Sequence, residues 1–366
     1  AILLSILIIG MGMFIYNQAQ DQIQKSAGQM STEEINVHNS QFKSYEGDRQ
    51  SGSQVKQLLN KLAINAGKYG NDDKENPRKP KIELKGISSA GMYGENSDLT
   101  NSTASSQIIV NKEASAGMYA KMSGASSVPK TSKNEGKIEI KADGAGKSAA
   151  MYSLMENGTT KVMTTKNTKD IEVAQKTSAG IYVKNESAQD KNNSLAENTG
   201  SIKMTGESSV GIIAEKSKVT NSGTGTNGIE ISGTGSAGIL ATDKSEVINS
   251  GRIVGDTGEK LVGISVDADS TAKNTATGTI TIGDSSTGLY GTADSILTNT
   301  GTITMGSSST GMYSEGSTSQ GVTNAGTITS TGTSSVGVLF KPDAALAPGA
   351  VLENTGTITL GDSSVG

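Results

Sequence analysis

Two kinds of side chain recur at spacings suited to chemistry, and a third recurs at a spacing suited to structure. Asp284 in "TIGDSSTG" and Asp362 in "TLGDSSVG" hold matching positions. Carboxylates supplied by successive repeats to one face are what general acid–base catalysis needs. The matching position in "TMGSSSTG" is Ser307, which interrupts the column. A turn position that exchanges Asp for Ser caps a corner and moves no proton. Tyr93, Tyr119, Tyr152, Tyr182, Tyr290 and Tyr313 form a second series, a candidate contact face because tyrosine is favoured at interfaces. The other reading of that column is inter-coil stacking or a strand-end anchor. Asn221, Asn249, Asn299, Asn324 and Asn354 form the third, each with Gly two residues on. Asn suits a corner, where it bonds nearby backbone and tolerates left-handed geometry, and stacked Asn side chains form ladders.

The remaining motifs exclude more than they suggest. There is no Cys, hence no disulfide, cysteine zinc site or thiol nucleophile. The only His, His38, stands in a polar stretch and reads as solvated. "GTGTNG" from Gly223 has the glycines of a nucleotide loop without its strand–loop–helix context. No Walker loop, metal-spaced His or calcium-binding nonapeptide is present, and no charged column is expected. The sequence therefore predicts no catalytic residue, no cofactor and no metal. A net charge of −4 gives no basic field for nucleic acid.

The elements that position these columns are repeats. "SSAGMY" from Ser88 returns as "ASAGMY" from Ala114, "TSAGIY" from Thr177, "SSTGLY" from Ser285 and "SSVGVL" from Ser334, with looser copies between. The copies lie 23 (Ser285 to Ser308) to 33 (Ala114 to Lys147) residues apart. A second motif precedes most of them, as in "VINSGRIV", "LTNTGTITM" and "LENTGTITL". Within both the period is two: Ile303 and Met305 alternate with Thr302 and Thr304, the pattern of half-buried strands. The residues either side of the motif glycine, such as Ala90 and Met92, are expected to share the inward face. The tyrosines are expected to point outward. The recurring glycines (Gly91, Gly211, Gly288) are expected to meet a need for positive φ or close approach. Each repeat then holds two or three short strands that only stacking can bury. The prediction is an all-β, parallel β-helix (solenoid) of about eleven coils over residues 82–366, roughly 50 Å long at about 4.8 Å per coil.

Composition agrees. Gly is 46 of 366, about 13% against the usual ~7%. Phe is 3 and Trp is 0, so the core must be made of small aliphatics. Before the repeats, residues 1–16 ("AILLSILIIGMGMFIY") are uncharged and read as a signal peptide or membrane-anchor helix. Residues 17–81 read as a polar segment with one helix near "SQVKQLLNKLAINAG" and a charged, proline-containing linker. The missing initial Met predicts residues upstream, and a sequence that stops inside a motif predicts a fragment.

The paired motifs "NTGTITxGxSSxGxY" and "SAGMY" resemble the passenger repeats of type V autotransporter adhesins, particularly those of fusobacteria, over nearly four fifths of the chain. The resemblance implies a right-handed β-helical stalk on a Gram-negative cell, secreted through a C-terminal outer-membrane barrel. It also implies adhesion to a host-cell or bacterial surface protein or glycan, with no catalytic residues to carry over. "NSQFKSYEGDRQSGSQVKQLLNKL" looks more like small single-span membrane proteins of pilin-like layout, which implies membrane attachment through the N-terminal helix if it is not cleaved. The expected location is the cell surface, outer membrane or extracellular space. The alternatives are a carbohydrate-active β-helix enzyme and a passive spacer or filament subunit.

Overall fold

A computed structural model describes residues 80–366, apart from residues 125, 144–145, 256, 268, 293, 317–320 and 342–350. The expected helices over residues 1–16 and 17–81 lie outside the described residues, save for Pro80 and Lys81 at the start of the first strand. Among the described residues no helix is long and apolar enough to cross a membrane.

The first coil consists of three strands: β1 (Lys81–Leu84), β2 (Ala90–Glu95) and β3 (Leu99–Asn101). Every third strand along the chain returns to the same sheet, parallel to its predecessor. The result is a right-handed parallel β-solenoid with one sheet of 11 strands and two of 10. We call these the isoleucine, tyrosine and asparagine sheets after the columns that run along them.

The isoleucine column is unbroken. Ile82 pairs with Ile108, Ile108 with Ile138, and the register continues through Ile171, Ile202, Ile229, Ile253, Ile280, Ile303 and Ile328 to Ile358. Those from Ile108 to Ile328 are fully buried. A β-branched side chain is stiff about χ1, so identical neighbours stack in one rotamer without disorder. Each burial contributes about 1.5–3 kcal/mol. The tyrosine sheet adds an inward column of Met118, Met151, Ile181, Ile212, Ile239, Ile264, Leu289 and Met312. Both join one core that also takes Val219, Val247 and Leu297 from the asparagine sheet.

Alternation fails at the motif glycine, which corrects one expectation. Met118 enters the core, but Ala116 packs with Tyr119 in a separate cluster on the outer face. Gly117 lies between them and takes no part in the strand register. A Cβ there would point inward, 2.8 Å from Ile138 Cγ2 and 2.7 Å from the carbonyl oxygen of Ala150. Two consecutive residues therefore face inward at a bend, and the residue before glycine is turned out. The glycine is required by close approach, for no glycine of this column has positive φ. Ala150, buried in the core, shows that one methyl is accommodated at one coil.

The left-handed residue is instead the first of the motif. Ser88, Ala114, Lys147, Thr177, Ser208, Lys260, Ser285, Ser308, Ser334 and Ser363 all have φ between 51° and 68°, and Gly235 has 70°. The next residue, usually Ser, builds a ladder from coil to coil. Ser115 N–H donates to Ser148 Oγ, Ser148 N–H to Ser178 Oγ and Ser178 N–H to Ser209 Oγ, at 3.1–3.3 Å.

Candidate functional surface

The tyrosines stand on the outer face, apart from the main core, yet they are not displayed. Tyr152 is 1% exposed, and Tyr119, Tyr182, Tyr290 and Tyr313 are also buried; only Tyr93, at the end of the stack, is 45% exposed. Ring centroids follow at 5.3 Å (Tyr93–Tyr119), 5.0 Å (Tyr119–Tyr152) and 4.9 Å (Tyr152–Tyr182). Tyr290 and Tyr313 make a second pair at 5.3 Å. Ala116, Ala149 and Ala179 pack against the first stack, filling the space beside it. The outward-turned residue before glycine thus supports the rings. A contact face needs accessible area, so this column offers Tyr93 alone without unstacking.

Carboxylates sit at the phenol ends. Tyr93 donates to Glu95, Tyr182 to Glu215 at 2.9 Å, and Tyr290 to Glu315 at 2.7 Å; Tyr313 also donates to Glu315. Burial, followed by the nearby Glu95 charge, pushes the Tyr93 phenol up to about 12. Burial, reinforced by the charge of Asp243, pushes the Glu215 carboxyl up to about 8. Lys184 Nζ lies 3.7 Å from that carboxylate, beyond hydrogen-bond reach.

The asparagines make a continuous internal ladder. Asn221 Nδ2 donates to Asn249 Oδ1, Asn249 to Asn274, Asn274 to Asn299 and Asn299 to Asn324, each at 2.8 Å. Asn324 continues to Asn354 at 2.7 Å. Upstream the same ladder runs Asn101–Asn134–Asn167–Asn198–Asn221. Asn101 and Asn167 escape sequence reading because Thr103 and Lys169 replace the glycine two residues on. None of the ladder residues has positive φ; their use is the side-chain amide, which both donates and accepts.

The expectation of no charged column needs correction. The outward column of the isoleucine sheet places Glu139 directly beside Glu172, and Lys203 beside Glu230. Each acid has a lysine: Lys141 with Glu139, Lys137 with Glu172 at 2.6 Å, and Lys203 with Glu230 at 3.2 Å. Such paired, partly exposed groups form a surface network in which each of these three acids is held by a lysine. Among the described residues no group of three His, Cys, Asp or Glu could hold a metal ion. A shallow, open depression of about 290 Å³ on the asparagine sheet is lined by Asn192, Leu195, Glu197 and Lys218. It is at the lower limit for ligand pockets, about 300–1,000 Å³. Its Glu197 and Lys218 are engaged by Lys166 and Glu246.

Residues 224–310 match the family described as the BigA third pectate lyase-like domain. The matched stretch runs from the turn before Gly228–Ile231 to the start of strand Thr310–Glu315, within the solenoid. No match is found among curated proteins or among solved structures.

Proposed function

We propose that the chain is a non-enzymatic β-helical stalk of a bacterial surface protein, which binds host-cell or bacterial surface proteins or glycans by multivalent contact along the rod. The observation that carries this reading is the stacking itself. Three ladders, of Ile, Asn and Ser, hold successive coils in one register and leave the outward columns free to vary. A rigid row of weak contacts gains avidity without any deep pocket. The match to a BigA pectate lyase-like domain supports a surface location, as does the resemblance to autotransporter passengers. Secretion through a C-terminal barrel, with the N-terminal apolar run as a signal peptide, is one form of this proposal; retention of that run as a membrane anchor, without a barrel, is its alternative.

Deleting residues 224–310 and restoring length with an unrelated rigid spacer tests it: cell binding should fall at constant reach. Undiminished binding would make the rod a passive spacer. The words "pectate lyase-like" favour a second reading, a carbohydrate-active enzyme. Release of reducing ends from polysaccharide by the purified chain would establish that reading instead.

A further inference from the structure

The outward face of the isoleucine sheet changes character after Arg252. One column becomes Thr279, Thr302, Thr327 and Thr357, in unbroken register. The other becomes Thr281, Thr304, Thr329 and Thr359. Between each pair stands the inward isoleucine, so the strands read Thr-Ile-Thr four times in succession. No charged side chain interrupts the array.

Four properties set this face apart from ordinary solvent-facing strand. It is periodic in two dimensions, at about 4.8 Å between coils and about 6.6 Å along each strand. It is rigid, because Ile280, Ile303 and Ile328 beneath it are fully buried. Its flanks are low: Gly278, Gly301, Gly326 and Gly356 precede the strands, and a Cβ on Gly301 or Gly326 would lie 2.2 Å from a carbonyl oxygen. Its hydroxyls are uncommitted, for none of the eight bonds another described residue. The corner threonines differ: Thr275 and Thr300 turn their Oγ1 onto the carbonyls of Asn249 and Asn274, both at 3.1 Å.

From this we propose that the threonine array is an ice-binding face. Hydroxyls at these two spacings lie close to the oxygen repeats on a prism face of hexagonal ice. The methyl groups hold the intervening water in cages, and the hydroxyls anchor it, so water ordered on the face continues the lattice. Charged side chains would impose their own hydration, and here they are absent. A second protein chain fits less well. The array covers on the order of 250 Å², whereas a stable protein interface takes about 800 Å² from each partner. Adsorption to a solid requires only many simultaneous weak anchors on a rigid support.

The test is partition of the full chain into a slowly grown ice hemisphere, together with crystal shape and thermal hysteresis. The wild-type chain should be enriched in the ice and should facet the crystals. Thr304→Lys and Thr329→Lys should lower ice incorporation at least tenfold. The fold tolerates lysine in that column, since Lys203 occupies it upstream, and circular dichroism will verify that each variant is folded. Thr298→Lys and Thr323→Lys, on the outward face of the asparagine sheet beside Lys273, should leave incorporation unchanged. Exclusion of the wild-type chain from ice overturns the proposal. So does equal loss by both pairs of variants, or retention on crystalline polysaccharide with exclusion from ice.

Discussion

The two halves of the rod share an interior and differ outside. From Lys81 to Ile231 the isoleucine sheet shows the solvent Lys, Glu, Asp and Gln; from Thr279 to Thr359 it shows threonine. Between described residues, every ion pair lies at or before Glu246. The tyrosine stack is likewise four rings long in the first half and two in the second. Beneath both, the isoleucine column runs without change. Packing between identical coils fixes the inward columns, because any departure is felt by two neighbours. The outward columns are released from that constraint and can carry binding chemistry that differs from one stretch to the next.

Substitution beneath both faces gives the largest expected effect. Ile138→Asp in the first half and Ile303→Asp in the second should each destabilise by several kcal/mol, since an unpaired carboxylate is buried. Thermal melting followed by circular dichroism should drop similarly for both. If Ile303→Asp melts like the parent, the inward assignment of the threonine half is wrong.

The outer aromatic columns come next. Tyr152→Ala removes the middle of the longer stack and should cost about 3 kcal/mol. Tyr290→Leu should cost less, about 1.5–2 kcal/mol: Leu240 and Leu339 show that the column accepts Leu, but the hydrogen bond to Glu315 is lost. Equal losses in urea denaturation would mean that the two stacks do the same work.

Asn249→Ala interrupts a ladder common to both halves, leaving the Asn221 amide only its longer bond to the Arg252 carbonyl and depriving Asn274 Oδ1 of the Asn249 donor. A loss of about 1–3 kcal/mol is expected. Glu215 distinguishes the halves through pH. Its folded-state value of about 8 lies above the ordinary 4.5, so the folded chain retains a proton that the unfolded chain releases. That stabilisation is complete below the unfolded value and is lost as pH rises through the folded one. Melting temperature should therefore fall between about pH 5 and about pH 9, and Glu215→Gln should flatten the fall. A parent profile already flat over that range would dismiss the buried carboxyl.

The smallest effect belongs to the charged face. Lys137→Ala removes the partner of Glu172, both partly exposed, and should change stability by less than about 1 kcal/mol. A larger loss, suppressed by salt, would show that the ion pairs of the first half act as a network.

Sequence alone determined the solenoid. Period-two alternation, a repeat too short to bury itself and the scarcity of large aromatics leave few other ways to hide Ile303 or Ile138 from water. It also located the asparagine column wherever glycine followed, and missed Asn101 and Asn167 where it did not. Only the tertiary structure decided which motif residues face where. Ala116 and Met118 sit two apart and would share a face in a regular strand, but the bend at Gly117 turns them to opposite sides. The need for positive φ fell on Ser88, Ser285 and their equivalents, because the chain turns there while the glycine accommodates a neighbouring carbonyl. Whether an outward tyrosine is displayed or buried was equally a tertiary matter. Exposure depends on what the adjacent coils place about 4.8 Å away, and no single repeat contains that information.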